Sequence, residues 1–449
     1  MAGQSRIVAS VVVLALVVGA AASFAASWRP SIAAIAPPRP DTFDPAIVKQ
    51  GRDLAAIGNC NSCHTVRGGG NYAGGLPVPT PFGTVFSSNI TPDGETGIGR
   101  WSEEAFVRAM RSGVDRDGRH LYPTFPYDHF TNVSEADDRA LYAFLMTREP
   151  VHASPPKNEL SFPFNYRPLI AGWKLLYLRS ADVRSDATKS AEWDRGAYLV
   201  EGLAHCGSCH TPRNALGAER ANAQFAGGEV DNWHAYALND ASHAPVRWDV
   251  DALYAYLRHG WHSDHGTARG PMAEVVSNLA SVADSDVRAI AVYMADISAA
   301  PERARPADTV VAQSSQGDAP QAHTAGAAIY VAACASCHES KRPLPYGGVN
   351  LALSTAIASP DPRNLVNIVL SGVGAVEGER SPIMPGFAAS IDDAQMVALL
   401  NYLRARFGKP PAWTDLEQTV RDARATQTVS LAAPPDPRDS PDSNQRGKP

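Results

Sequence analysis

The sequence predicts an all-α chain of three tandem domains, each a few helices around one covalently held prosthetic group. Three observations carry this expectation. All six cysteines fall in three copies of Cys-x-x-Cys-His: Cys60/Cys63/His64, Cys206/Cys209/His210 and Cys334/Cys337/His338. The copies stand 146 and then 128 residues apart (Cys60 to Cys206, Cys206 to Cys334), which is domain spacing in a chain of 449 residues. Around each copy the same order of helices, loops and glycines recurs.

Cys-x-x-Cys-His is the attachment signature of c-type haem. Its two thiols add across the vinyl groups of the macrocycle, and the next histidine reaches the iron. Structural zinc would need paired half-sites, and a disulfide would not call for the histidine. The motifs therefore predict three haem c groups. Cys60, Cys63, Cys206, Cys209, Cys334 and Cys337 form the thioether links, and His64, His210 and His338 are the proximal iron ligands. Each domain is then a small cytochrome c domain. The plentiful glycine and proline (35 each) suit loop-rich domains whose core is largely the cofactor.

Ile7–Ala26 is an apolar run behind a single positive charge, Arg6. It has the core of a secretion signal and also the length to span a bilayer, so residues 1–30 read as a cleaved signal peptide or a retained anchor. Either outcome exports the rest, and c-type thioethers are made after export. The expected location is the periplasmic side of the bacterial inner membrane. Residues 45–150 form the first domain, 185–300 the second and 323–409 the third.

In each domain a helix with Gly-x-x-Tyr/Leu-like spacing leads into the cysteine motif. After a loop, a second helix ends in glycine: Trp101–Gly113, Trp248–Gly260 and Pro362–Gly372. A ligand loop follows, and then an amphipathic helix: Ser134–Thr147, Asp284–Ile297 and Asp392–Phe407. The last helices carry Phe144, Tyr293 and Tyr402 at matching places, as packing against the first helix would need.

Electron-transfer cytochromes c usually take a methionine sulfur as second iron ligand. Met272 and Met384 lie in Gly/Pro-rich loops and are the expected distal ligands, whereas Met294 and Met396 lie in late helices and read as core. Met272 is twelve residues beyond Gly260, and Met384 twelve beyond Gly372. Twelve beyond Gly113 is Phe125, which cannot ligate iron. The first haem needs another ligand. His129 is preferred, because Pro123 and Pro126 stiffen the segment before it. An open five-coordinate iron comes next, then Met110 and His120. Met110 aligns with Leu257 and Val369 in the glycine register and reads as helix core. The remaining histidines of the second repeat, His205, His234, His243, His259, His262 and His265, are expected at the surface or beside haem propionates.

Between the first two domains, residues 151–184 form a strap rich in aromatics and leucines with Arg167, Lys174 and Arg179. It reads as inter-domain packing or as a face for a partner subunit or the membrane surface. Residues 301–322 read as a flexible linker, and 410–449 as a disordered tail. A net charge of −6 and a pI near 6.1 give no basic field for nucleic acid.

The chain resembles a known family, the triheme cytochrome c subunits of membrane-bound periplasmic dehydrogenases acting on alcohol, gluconate, aldehyde or nicotinate-type substrates. The resemblance covers residues 45–408. It is carried by Gly58-Asn-Cys-Asn-Ser-Cys-His-Thr65, Thr80-Pro-Phe-Gly-Thr84, Asn89-Ile-Thr-Pro-Asp93, Gly97-Ile-Gly-Arg-Trp101, Gly118-Arg-His-Leu-Tyr-Pro123 and Gly270-Pro-Met-Ala-Glu-Val-Val276. It implies proximal ligation by the three motif histidines and distal ligation by Met272 and Met384. It further implies a separate catalytic dehydrogenase subunit, with electrons passing on to ubiquinone or a terminal oxidase. Phe125 stands where many alcohol-dehydrogenase-type members have methionine. Together with Gly172-Trp-Lys-Leu-Leu-Tyr177, it favours a molybdenum-hydroxylase-type partner over a quinoprotein or flavoprotein.

The leading expectation is thus an electron-transfer subunit, not an enzyme in its own right. The alternative is a peroxidase-like haem enzyme or gas sensor using an open position at the first haem. Methionine sulfur raises the iron potential, whereas bis-histidine ligation lowers it. A redox titration should therefore show one low-potential centre, the first, and two higher ones. Three midpoints within roughly a few tens of millivolts would contradict the ligand assignment.

Overall fold

The computed structural model describes residues 27–179, 185–298, 305–314, 322–375, 381–408 and 411–430. The apolar stretch Ile7–Ala26 lies outside the described residues. The chain forms two compact units. One runs to residue 184 and takes in the short segments 201–205 and 215–218; the other comprises the remainder, including both later cysteine motifs. The second and third repeats therefore share one unit.

In the first unit, α1 (Pro45–Ile57) leads into α2 (Cys60–Cys63), followed by strands β1 (Pro77–Thr80) and β2 (Gly83–Phe86), α3 (Glu103–Ser112), α4 (Tyr127–Phe130), α5 (Glu135–Met146), β3 (Glu159–Leu160) and α6 (Leu169–Tyr177). Short polar residues start the long helices. The side chains of Asp44, Ser102 and Ser134 accept from the backbone N–H of Ala46, Ala105 and Asp137, satisfying donors that a helix start leaves orphaned.

The second unit begins with α7 (Ala191–Glu201) and α8 (Gly207–His210), then β4 (Gly228–Val230), β5 (Trp233–Ala235), α9 (Val250–His259), β6 (Trp261–His262), β7 (Gly266–Thr267), α10 (Pro271–Leu279) and α11 (Asp284–Ile297). After α12 (Ala307–Ser314) come α13 (Thr324–Ala333), α14 (Ala335–His338), α15 (Thr355–Ala358), α16 (Arg363–Ser371), α17 (Asp393–Phe407) and α18 (Leu416–Ser430).

One helix crossing is built three times. A Cβ placed on Gly51 of α1 would sit 1.9 Å from the Ala140 carbonyl oxygen and 2.7 Å from Phe144 Cβ on α5. Gly196 of α7 meets Ala289 O at 2.0 Å and Tyr293 Cβ at 2.8 Å, and Gly326 of α13 meets Ala398 O at 2.1 Å and Tyr402 Cβ at 2.7 Å. Only glycine lets the backbones approach this closely. The positions Phe144, Tyr293 and Tyr402 are the matching places expected from the sequence, and all three are buried.

Three sequence expectations need correction. The chain is helix-rich but not purely α: β1–β2–β3, β4–β5 and β6–β7 form small antiparallel sheets. These loops had no long alternating pattern to read. At Gly83 the φ of +122° and the Glu159 oxygen 2.1 Å from a would-be Cβ explain the glycine of Thr80-Pro-Phe-Gly-Thr84. The tail is not wholly disordered, since α18 lays Leu416, Val420 and Ala423 into the third repeat's core beside Trp413; residues 431–449 lie outside the described residues. The 301–322 linker contains α12, with Val310 buried. Of the two places expected for His265, the surface is ruled out: it is 7% exposed and stacks on Trp248 with ring centroids 3.6 Å apart.

The strap folds back on its own unit. Lys174 Nζ donates to the carbonyls of Ser112 and Gly113 and lies 3.0 Å from His120 Nδ1. Arg167 donates to His120 O and covers the Tyr122 ring. These cations face inward and anchor α6, so they are not docking charges. Phe162, Tyr166, Leu175 and Leu176 remain exposed.

The crossing makes Gly196→Ala costly. Thermal unfolding of the holoprotein should show a loss of about 3 kcal/mol, and a change below about 0.5 kcal/mol would refute the close-approach account. Asp138 gives a second expectation. It is fully buried on α5, its carboxylate oxygens lack hydrogen-bond partners among the described residues, and burial raises its pKa to about 8, opposed by Arg111. Between pH 4 and pH 8 the folded state holds a proton that the unfolded state releases, so stability falls as pH rises through that window. Asp138→Asn should stabilise by about 2 kcal/mol at pH 8 and hardly at all at pH 4, read from melting curves at the two pH values.

Candidate functional site

Each Cys-x-x-Cys-His motif forms a single helical turn at the end of its repeat's first helix. The backbone N–H of the histidine donates to the carbonyl of the first cysteine: His64 to Cys60 at 2.9 Å, His210 to Cys206 at 3.0 Å and His338 to Cys334 at 3.1 Å. This brings two thiols and one imidazole of each motif onto a common turn. All six thiols are free, with none in a disulfide.

The histidines share a second feature. Nδ1 lies 2.6 Å from Ser88 O in His64, 2.7 Å from Tyr236 O in His210 and 2.8 Å from Val349 O in His338. A carbonyl only accepts, so Nδ1 carries the proton and Nε2 keeps its lone pair. A ligating histidine is oriented by this same bond through its other nitrogen. Burial pushes all three imidazoles below their ordinary pKa, against the backbone hydrogen bond that would raise it, keeping them neutral as ligands. At the third motif, a Cβ on Gly348 would come 2.7 Å from His338 Nδ1. Glycine is needed there for the ring to lie as it does.

A redox dithiol has a lowered cysteine pKa, and that is not what three of these thiols show. Burial pushes Cys60 up to about 12 and Cys334 to about 11, and raises Cys209 as well. Neutral imidazoles with oriented Nε2 acceptors thus stand beside thiols on a common turn in each motif, a set that fits haem c. Buried polar nitrogens that lack a partner among the described residues add to the fit. In the second repeat these are Trp261 Nε1 and Arg269 Nε, with His265 Nδ1 between them in sequence. All three precede Met272 and suit the carboxylates of haem propionates.

Met272 lies in the first turn of α10 rather than in a loop, directly after Gly270 at φ +58° and Pro271. Met384 forms a two-way backbone bridge with Val373 (N···O 2.8 and 2.9 Å). Both are half-buried. Met294 and Met396 are buried in helices at 5% and 0% exposure, as expected of core residues.

The glycine register is visible in the backbone. Gly113 O accepts from Leu121 N, and Gly260 O accepts from Ala268 N. The same eight-residue loop thus follows each glycine, and four residues later stand Phe125 and Met272. The Phe125 ring packs against Phe130 and Tyr127. Of the substitutes, Met110 is buried on α3. His120 is engaged at both nitrogens, by Ser27 O and Lys174 Nζ. His129 is buried on α4 with Nδ1 3.0 Å from Glu201 O, the pattern of the three motif histidines.

Sequence reading missed the supports. Asn89 and Thr91 are buried and pin the backbone of Val151 and Ala153. Asn89-Ile-Thr-Pro-Asp93 is therefore a structural knot. The carbonyls of Ser88, Tyr236 and Val349 carry no side-chain signature and could not have been found.

Two family models match the chain: cytochrome c over residues 48–149, and cytochrome c oxidase, cbb3-type, subunit III over residues 321–403. A nicotinate dehydrogenase subunit of Pseudomonas putida is 45% identical over 424 residues; the match covers 92% of this chain but only 35% of that longer protein. The gluconate 2-dehydrogenase cytochrome c subunit of Pantoea cypripedii is 36% identical, covering 87% of this chain and 92% of the relative. The fructose dehydrogenase cytochrome subunit of Gluconobacter japonicus is 33% identical, covering 88% and 86%. The chain belongs to the family of cytochrome c subunits of dehydrogenase complexes, which transfer electrons and leave substrate oxidation to another subunit.

Proposed function

We propose that this chain relays electrons through three haem c centres, from a catalytic dehydrogenase subunit to ubiquinone or a terminal oxidase, on the periplasmic side of the inner membrane. The observation that carries the reading is the threefold histidine–carbonyl bond, which aims three neutral Nε2 atoms in the same way. When bound, haem c supplies reversible one-electron chemistry at its iron. The chain's residues do the rest. Six cysteines would hold the groups covalently, and His64, His210 and His338 would ligate the irons. Met272 and Met384 would supply the second protein ligand of the second and third irons.

At the first centre His129 takes the role that Phe125 cannot fill. Its Nδ1 lies 3.0 Å from the Glu201 carbonyl oxygen, the kind of contact that also orients the motif histidines. With a sixth ligand on each iron, no position is left for a small oxidant or gas.

A molybdenum-hydroxylase-type subunit is the favoured electron donor. The 45% identity to the nicotinate dehydrogenase subunit supports a dehydrogenase acting on an aldehyde or an N-heterocycle. No helix among the described residues is long and apolar enough to cross a membrane. The exposed Phe162, Tyr166, Leu175 and Leu176 of the strap are what an interfacial contact with the bilayer surface would use.

Carbon monoxide tests the relay reading directly. The dithionite-reduced holoprotein should carry three haems per chain and bind no carbon monoxide, whereas His129→Ala should bind one equivalent. Stoichiometric binding by the unaltered protein would overturn six-coordination at the first centre and with it the relay assignment.

A further inference from the structure

The second unit contains a clamp between its two repeats. Helix α16 belongs to the third repeat: Leu365, Val366, Val369 and Leu370 lie in that core. Its other face carries two buried asparagines, Asn364 and Asn367, at 5% and 6% exposure. A buried amide is costly unless hydrogen-bonded, and these bond to the β4–β5 hairpin of the second repeat. Asn364 Oδ1 accepts from His234 N at 2.9 Å, and Asn364 Nδ2 donates to His234 O at 2.8 Å. Asn367 Nδ2 donates to Asn232 O at 3.0 Å. Arg363 adds an ion pair to Glu229 on the same hairpin.

That hairpin touches the supports of both expected iron ligands of the second centre. Tyr236, one residue past β5, supplies the carbonyl that accepts from His210 Nδ1. At the start of the hairpin, Gly227 N donates to His210 O. Trp233 packs on Gly270, where a Cβ would come 2.5 Å from the indole. Gly270 stands two residues before Met272. At its far end, α16 passes through Gly372 into Val373, which is bridged to Met384. A single helix therefore grips the ligand supports of one centre and leads into the distal ligand of the next.

We propose that Asn364 and Asn367 are positioning residues that couple the second redox centre to the third: by holding the β4–β5 hairpin they fix the Tyr236 carbonyl against His210 Nδ1 and so set the basicity of His210. The inference rests on the proposed assignment of His210 and Met272 to the second iron. A carbonyl acceptor on Nδ1 makes the imidazole a stronger donor, which favours the ferric state. Loosening the clamp weakens that bond and raises the midpoint potential.

The test is a redox titration of the holoprotein with resolved waves. Met272→Ala identifies the second centre as the wave it displaces. Asn364→Ala should raise the midpoint of that same wave and leave the first centre's wave in place, while the sulfur-to-iron absorption of methionine ligation persists. Asn367→Ala, which loses one hydrogen bond, should give a smaller shift of the same sign and serves if Asn364→Ala does not accumulate. An unchanged or lowered midpoint, or equal movement of all three waves, overturns the clamp. If Met272→Ala displaces no wave, the ligand assignment fails instead.

Discussion

Everything in this chain depends on a helix crossing so close that one partner must be glycine. Gly51, Gly196 and Gly326 each let the first helix of a repeat rest on the backbone of the last. The crossing fixes where the first helix ends, and the cysteine turn follows within about ten residues in each case. A Cβ at these sites would separate the helices and move the turn that carries two thiols and an imidazole. The hydrophobic residues around it, such as Leu54, Leu199 and Tyr330, stabilise the crossing but could be exchanged for others of similar volume. The glycine could not.

The crossing explains how small repeats with few helices can hold a ligand precisely. The imidazole is set from two sides. Its backbone is fixed by the helical turn from the first cysteine, and its ring is fixed by a carbonyl from a loop that returns to the motif. In the first two repeats that returning loop runs beside a glycine, Gly74 or Gly227, whose N–H donates to the motif histidine's own carbonyl. In the third, Gly348 N donates to Cys337 O instead. The three sites thus reach one ring orientation through loops of different sequence. A shared chemical demand on Nε2 accounts for that convergence better than shared loop sequence would.

Much of this was legible because it is written in residue types that only one geometry tolerates. Cysteine pairs with a following histidine, glycines with a left-handed φ at Gly113, Gly260 and Gly372, and large aromatics opposite the crossing glycines all gave their positions directly. Helix periodicity located the terminal helices to within a residue or two. Illegible features were those in which a backbone group or a tertiary partner decides. Asn364 and Asn367 looked like ordinary polar residues in an amphipathic helix, because nothing local says that a hairpin some 130 residues earlier will accept their amides. Lys174 and Arg167 looked like surface charge beside aromatics, but the carbonyls around Gly113 and His120 draw them inward. The helix Leu416–Ser430 was masked by a polar stretch whose few apolar residues are spaced to meet a core that the sequence does not display.

The first repeat is the most instructive departure, because its odd residue is built into the packing. Phe125 occupies the register position of Met272, but its ring belongs to an aromatic cluster with Tyr127 and Phe130, and Tyr127 meets Trp173 of the strap edge-on. Restoring a methionine at 125 would remove a ring from that cluster, so the phenylalanine also serves to seat α4 and α6. With the register position committed to packing, the proposed ligand set turns to a residue on α4, which begins two residues later. His129 lies four residues beyond Phe125, is buried, and has Nδ1 3.0 Å from the Glu201 carbonyl oxygen. On the proposed ligand set, therefore, the strap and the odd ligand have one cause: the volume that holds α6 on the first unit is the volume that a methionine side chain would have used.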